Sequence, residues 1–147
     1  MNILRDFIAT SVQVAILISV VTIIHEMGHF ICASLLKRKV YEFSIGIGPI
    51  IFRKGIFKLK LFPFSGYIQL EINFDNKDIT YLKESILIFI AGYILNIIMA
   101  IISYPISESI SFYIIIFIIA DCIVTKKSDG KMIIRMVREI LVQKRSK

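Results

Sequence analysis

Thirty consecutive residues, Phe7 to Leu36, contain no Lys, Arg or Asp, and Glu26 is their only formal charge. A helix needs roughly 20 apolar residues to cross about 30 Å of hydrocarbon, so this run is long enough to span a bilayer. Inside it lies the sequence His25-Glu26-Met27-Gly28-His29. Placing an ionisable group within a membrane costs at least ~2.5 kcal/mol on insertion scales, which makes such a group a functional hypothesis by default. The run is longer than a signal-peptide core, and the preceding MNILRD lacks a strongly basic start, so the segment is expected to be retained.

The rest of the chain fits a multi-pass membrane protein. Of its 147 residues 56% are hydrophobic and the mean hydropathy is +0.77, above the roughly 45–50% apolar share of soluble domains. The length suits one domain, 1–147. Two further apolar runs, Ser85–Ser103 and Ile110–Thr125, are separated by SYPISES, where Pro105 and small polar residues break the pattern. Three transmembrane helices are therefore expected, at about 7–36, 82–103 and 107–125.

The net charge is +7, and its placement decides its meaning. Nine Lys and Arg fall in residues 37–83, eight in 126–147 and none in 84–125. This is the asymmetry of the positive-inside rule, not a nucleic-acid-binding stripe. It puts both basic zones in the cytoplasm, and SYPISES and the N-terminus outside. Cys32 and Cys122 form no disulfide framework and read as small apolar-core residues.

Between the first two spans the period changes. FKLKL and YIQLE alternate apolar with polar residues, the signature of a strand. Arg53-Lys54-Gly55 and Pro63-Phe64-Ser65-Gly66 are turn candidates, and Gly46 and Gly48 read as turn or bulge residues. The region 40–72 is thus expected to form a small antiparallel β-sheet of three or four short strands. Phe43, Ile45, Ile47, Phe52, Phe57, Phe62 and Phe64 suit it to the membrane interface. Asn73–Lys77 reads as a polar linker, with Asp75 and Asp78 as solvated loop residues. The C-terminal MIIRMVREILVQKRSK sets Met132, Ile133, Met136, Val137, Ile140 and Leu141 on one helical face, with cationic residues largely elsewhere. That is an amphipathic helix suited to the inner membrane surface.

On a helix His25 and His29, four apart, share a face and can ligate one metal ion. Glu26 is placed beside them to take a proton from water activated by the metal. Zinc requires a third protein ligand. The chain has no third His, so Asp129, Asp121 and the cysteines are the candidates, with Glu108 on the wrong side of the membrane.

Taken together, these motifs resemble the site-2 protease family of intramembrane zinc metalloproteases. HEMGH resembles that family's HExxH span. FPFSGYIQL, Phe62–Leu70, resembles its membrane-associated strand, and AGYILN, Ala91–Asn96, its Ala-Gly-Pro-x-x-Asn span with Tyr93 at the proline. DCIVTKKSDG, Asp121–Gly130, resembles its Asn-x-x-Pro-x-Pro-x-x-Asp-Gly segment, with Val124 and Lys126 at the prolines. The resemblance spans about residues 10–135. It implies a single Zn2+ held by His25, His29 and Asp129, with Glu26 as general base. It also implies substrate contacts from Asp121, Gly66 and Tyr67. Asp121 stands at the family's Asn, and an ionised Asp cannot donate to an oxyanion. Gly92 and Asn96 read as helix-packing and interhelical hydrogen-bonding residues.

The expected function is an intramembrane endopeptidase cutting a transmembrane or membrane-tethered peptide near the cytosolic face of a bacterial cell membrane. A catalytically silent adaptor that binds membrane segments is the alternative. A metal-ion transporter is a third class, disfavoured by the lack of an internal repeat. No PDZ-like, sensing or nucleotide-binding segment is recognisable in the sequence, so regulation is expected from a membrane partner or from substrate supply. The lipid bilayer is itself an expected partner.

Overall fold

The computed structural model describes residues 3–71, 78–124 and 128–145. The polar linker Asn73–Lys77, with Asp75, and Lys126 lie outside the described residues. Helix α1 (Ile3–Leu35) is followed by strands β1 (Val40–Lys54) and β2 (Phe57–Leu70) and by helices α2 (Ile79–Ser103), α3 (Glu108–Val124) and α4 (Asp129–Arg145).

Local chemistry sets the helix ends. Asp6 in the first turn of α1 complements the positive end of the helix dipole. At the other end Arg38 N–H donates to Ala33 O at 2.8 Å and Lys37 N–H to Ser34 O at 3.0 Å, with Lys37 at φ +55°. This is a Schellman termination, with Lys in the left-handed position usually held by Gly. Asp78 caps α2, its side chain accepting from Thr80 N–H.

Helices α1 and α2 are long and apolar enough to cross a membrane, and only 17% and 28% of their most apolar stretches are buried. Outward-facing Phe7, Ile16, Ile101 and Ile102 are 69%, 58%, 67% and 63% exposed, which suits a lipid surround rather than water. The third span expected at about 107–125 corresponds to α3, whose 17 residues extend ~25 Å, short of a full ~30 Å hydrocarbon core.

The helices pack through small residues and buried hydrogen bonds. A Cβ on Gly28 would lie 2.5 Å from Ala91 O, so only glycine lets α1 and α2 approach this closely. Val21, Ala100 and Ile114 form the core where α1, α2 and α3 meet, and Ser111 Oγ donates to Ala100 O at 2.9 Å. Arg38 joins the end of α1 to the start of α2 through Glu84, at 2.6 Å, and stacks over Tyr81.

The sheet corrects one expectation. It contains two long antiparallel strands rather than three or four short ones. The turn expected at Arg53–Gly55 is present, centred on Gly55 and Ile56. That expected at Pro63–Gly66 is not: these residues continue β2 across an irregularity, because Ile45 pairs with Gly66 but Ile47 with Phe62. Extra residues absorbed as a bulge bend a strand instead of ending it, and also accommodate a proline. Gly46 (φ +95°) and Gly48 (φ +92°) bend β1 at the same level. The ribbon consequently coils, so that Phe43, Ser44 and Ile45 face Ile68, Tyr67 and Gly66 on one side and Phe57, Lys58 and Leu59 on the other. Phe30 of α1 packs against Phe43 and Phe57, with ring centroids 5.7 Å apart in each case, and holds the ribbon on the helix.

Helix α4 is amphipathic as expected, but it docks against the bundle. Met136 is 2% exposed, while Val137 and Leu141, expected on the same face, are exposed. Of the two cysteines, Cys32 is half-buried and Cys122 is exposed, so Cys122 is not a core residue.

Candidate metal centre

The period of α1 puts His25 and His29 on one face, buried among α2 and α4, with ring centroids 4.6 Å apart and planes at 86°. Asp129, the first residue of α4, reaches both. Its Oδ2 lies 2.9 Å from His25 Nε2 and 2.7 Å from His29 Nε2. One donor atom from each of the three residues falls within 4.8 Å of the others. Among the described residues these three form the only such group of His, Cys, Asp or Glu, and Asp121 is outside it.

The donor set fits a metal ion. His29 Nε2 is buried and, despite its proximity to Asp129, is not aligned for a hydrogen bond. It is one of the three donor atoms that lie within 4.8 Å of one another. His29 Nδ1–H donates to Ile88 O at 2.8 Å, which fixes the tautomer with a free lone pair on Nε2. Asn96 does the equivalent for His25: its Nδ2 lies 3.2 Å from His25 Nδ1, and its Oδ1 has no partner. A 180° turn of the carboxamide places Oδ1 there to accept from Nδ1–H and leaves the Nε2 lone pair for a metal. Two imidazoles and a carboxylate match three-ligand zinc sites that keep a fourth position open. Burial works against ionisation of Asp129 and the two neighbouring imidazoles work for it; a metal ligand at this position would be the ionised carboxylate.

Glycines hold the surrounding elements close. A Cβ on Gly92 would lie 2.5 Å from His29 Cε1 and 2.9 Å from His25 Cε1. A Cβ on Gly66 of β2 would lie 2.7 Å from Glu26 Cγ. Glu26 therefore lies against the backbone of β2, and it lines one cavity with both imidazoles. A cavity of about 910 Å³ opens over these groups, lined also by Thr22, Tyr67, Phe89, Asp121 and Arg135.

All seven residues singled out from the sequence line this cavity. Tyr67 does so while its hydroxyl donates to Glu42 Oε1 across the sheet. Asp121 Oδ2 accepts from Tyr93 at 2.7 Å. Sequence reasoning gave Asn96 only an interhelical role and did not find Ile88, because a backbone carbonyl carries no residue-type signal. The buried polar Asn96 in an apolar span was the one available clue.

A family model described as Peptidase family M50 matches residues 13–145. Among curated proteins, one from Thermotoga maritima named "Putative zinc metalloprotease" is 46% identical over 54 residues, covering 34% of this chain and 11% of that protein. A protein of the same name from Borreliella burgdorferi is 35% identical over 108 residues, 59% of this chain and 25% of its own length. "Probable membrane metalloprotease ARASP2, chloroplastic" from Arabidopsis thaliana is 26% identical over 102 residues, 60% of this chain and 23% of that protein. The chain thus spans a quarter or less of each of these relatives.

Proposed function

The chain belongs to peptidase family M50, the site-2 protease family its motifs resemble, and from this premise we propose that it is an intramembrane zinc endopeptidase. The observation that carries the proposal is the convergence of His25, His29 and Asp129 beside Glu26, at a cavity walled by β2. His25, His29 and Asp129 would hold one zinc ion, oriented by Asn96 and Ile88 O. When bound, zinc supplies Lewis-acid polarisation of a carbonyl and lowers the pKa of water toward about 7.

Glu26 takes the proton of the attacking water and returns it to the leaving amine. The substrate is a transmembrane or membrane-tethered peptide. Its helix satisfies its own peptide groups in lipid and must unwind before it can be cut. Among the described residues Gly66–Leu70 pair only with β1, so the other edge of this stretch is open. An unwound segment adds there as a strand. Gly66 brings the added strand near Glu26, and Tyr67 and Asp121 wall the same space. Proline at Ile68 would remove a backbone donor from β2 and suppress cleavage; undiminished turnover would rule out strand addition.

In this reading α1, α2 and α3 each cross or enter a bacterial cell membrane, with α4 on its cytoplasmic surface. The deciding experiment measures zinc content and peptide cleavage of the full chain in detergent. Near-stoichiometric zinc is expected in the wild type and in Glu26→Gln, cleavage only in the wild type, and loss of zinc in Asp129→Ala. A zinc-loaded wild type that binds membrane peptides without cutting them would instead be an adaptor.

A further inference from the structure

We propose that Tyr93 is a positioning residue for Asp129, acting through the amide of Gly130 with Asp121 as its anchor. The inference rests on the zinc reading above and goes beyond its ligand set.

Asp129 is the one candidate ligand not carried by α1. Its place opposite His25 and His29 therefore depends on how the start of α4 is docked. The first N–H groups of a helix have no intrahelical partner. Ser128 serves part of this need: its Oγ accepts from Lys131 N–H at 3.4 Å. The Gly130 N–H, next along from Asp129, donates to Tyr93 Oη at 3.1 Å. Tyr93 in turn donates its one proton to Asp121 Oδ2 at 2.7 Å.

The Gly130 leg of this relay is forced, and an ionised Asp121 sets the direction of the other. An amide N–H can only donate, a phenol has one proton, and a carboxylate only accepts. Asp121 thus fixes the hydroxyl rotor so that a lone pair faces Gly130. Tyr93 is 8% exposed and its ring stands edge-on to His25, with centroids 5.1 Å apart. Its neighbour Gly92 is the residue against which both imidazoles pack. One turn of α2 thereby sets the histidines and the backbone beside the aspartate in a single frame. The carboxylate of Asp121 acts on the site through this hydroxyl, and a substrate contact is left to the oxygen that Tyr93 does not engage.

Loss of an outer-shell partner typically costs about 10–100-fold in metal affinity. Zinc affinity of the full chain in detergent, read by competition with a chromogenic chelator, is expected to fall by that order in Tyr93→Phe and Asp121→Ala. Asp121→Asn keeps an acceptor for the hydroxyl and should bind zinc as the wild type does. Ser111→Ala removes an interhelical hydrogen bond away from the site. It should leave zinc affinity unchanged. Wild-type affinity in a folded Tyr93→Phe, or an equal loss in Ser111→Ala, would overturn the proposal. If Tyr93→Phe does not fold, the Asp121 pair decides, and equal affinities of its Asn and Ala variants overturn it. Hydrogen exchange at Gly130 in zinc-free protein is a second readout. It should quicken in Asp121→Ala and not in Ser111→Ala, and unchanged exchange in Asp121→Ala counts against the relay. A wild type that takes up no zinc would defeat the metal reading alone, and the exchange result would still decide the relay.

Discussion

Three glycines near the metal centre differ in what a methyl group would meet. At Gly92 the nearest atoms belong to both imidazoles, at 2.5–2.9 Å, closer than a real Cβ tolerates. Gly92→Ala should push α2 off the histidines and abolish zinc retention while helix content persists, as circular dichroism alongside metal analysis would show. At Gly66 the clash is with Glu26, which is not a ligand. Gly66→Ala should therefore keep its zinc and lose roughly 10- to 100-fold in cleavage rate, the scale set by sub-ångström misplacement of a reacting group. At Gly130 a Cβ would meet Cys122 atoms at 3.5–3.6 Å, ordinary contact, and the residue is helical. Gly130→Ala should be neutral or stabilising by up to about 1 kcal/mol, since alanine favours helix over glycine; a thermal melt checks it. The sequence marks all three alike as glycine. Only the distance to the neighbouring element separates an indispensable one from a replaceable one.

Among the elements, the β-ribbon depends on charge as well as on apolar alternation. Glu42 on β1 receives Lys58 and the Tyr67 hydroxyl, both from β2. These hydrogen bonds hold its carboxyl below the usual carboxylate range. A depressed carboxyl contributes stability above its unfolded value near 4.5, and that contribution is lost as pH falls through its lower folded value. Amide protection across β1 and β2 should therefore fall on acidification below about pH 4.5 in the wild type, and be less pH-dependent in Glu42→Gln. Equal pH dependence in the two proteins would show that the pair is incidental. The alternation in FKLKL and YIQLE reveals that strands exist. It does not fix their number, because a bulge and a turn both interrupt alternation and both recruit Gly and Pro. Pairing with β1 decides between them at Pro63–Gly66.

For the whole molecule, charge placement predicts which helix ends face the cytoplasm, and the packing shows only which ends lie together. Arg38 and Glu84 join the C-terminal end of α1 to the N-terminal end of α2, so the two helices are antiparallel and the β-ribbon emerges at that shared end. The turn between α2 and α3 lies at the far end. In a background with Cys32 and Cys122 replaced, a cysteine at Ser107 should react with an impermeant reagent in intact cells. One at Lys54 should react only after permeabilisation. The reverse pattern would invert the assigned orientation and carry the metal centre to the outer half of the membrane.

What the sequence by itself determined is everything governed by short-range period and by solvent preference. The apolar runs, the basic zones, the shared face of His25 and His29 and the amphipathic period of the tail all depend on local spacing, and local spacing is written in order along the chain. The resemblance to a known family added Asp129, which no local rule distinguishes from Asp121. Only the tertiary structure places Asp129 against residues about a hundred positions earlier, turns Asn96 and Ile88 O toward the imidazoles and joins Gly130 to Asp121 through Tyr93. Such contacts arise where separate elements close on one another, and the distance at which they close is set by packing, here by Gly28 and Gly92, rather than by any residue's own propensity.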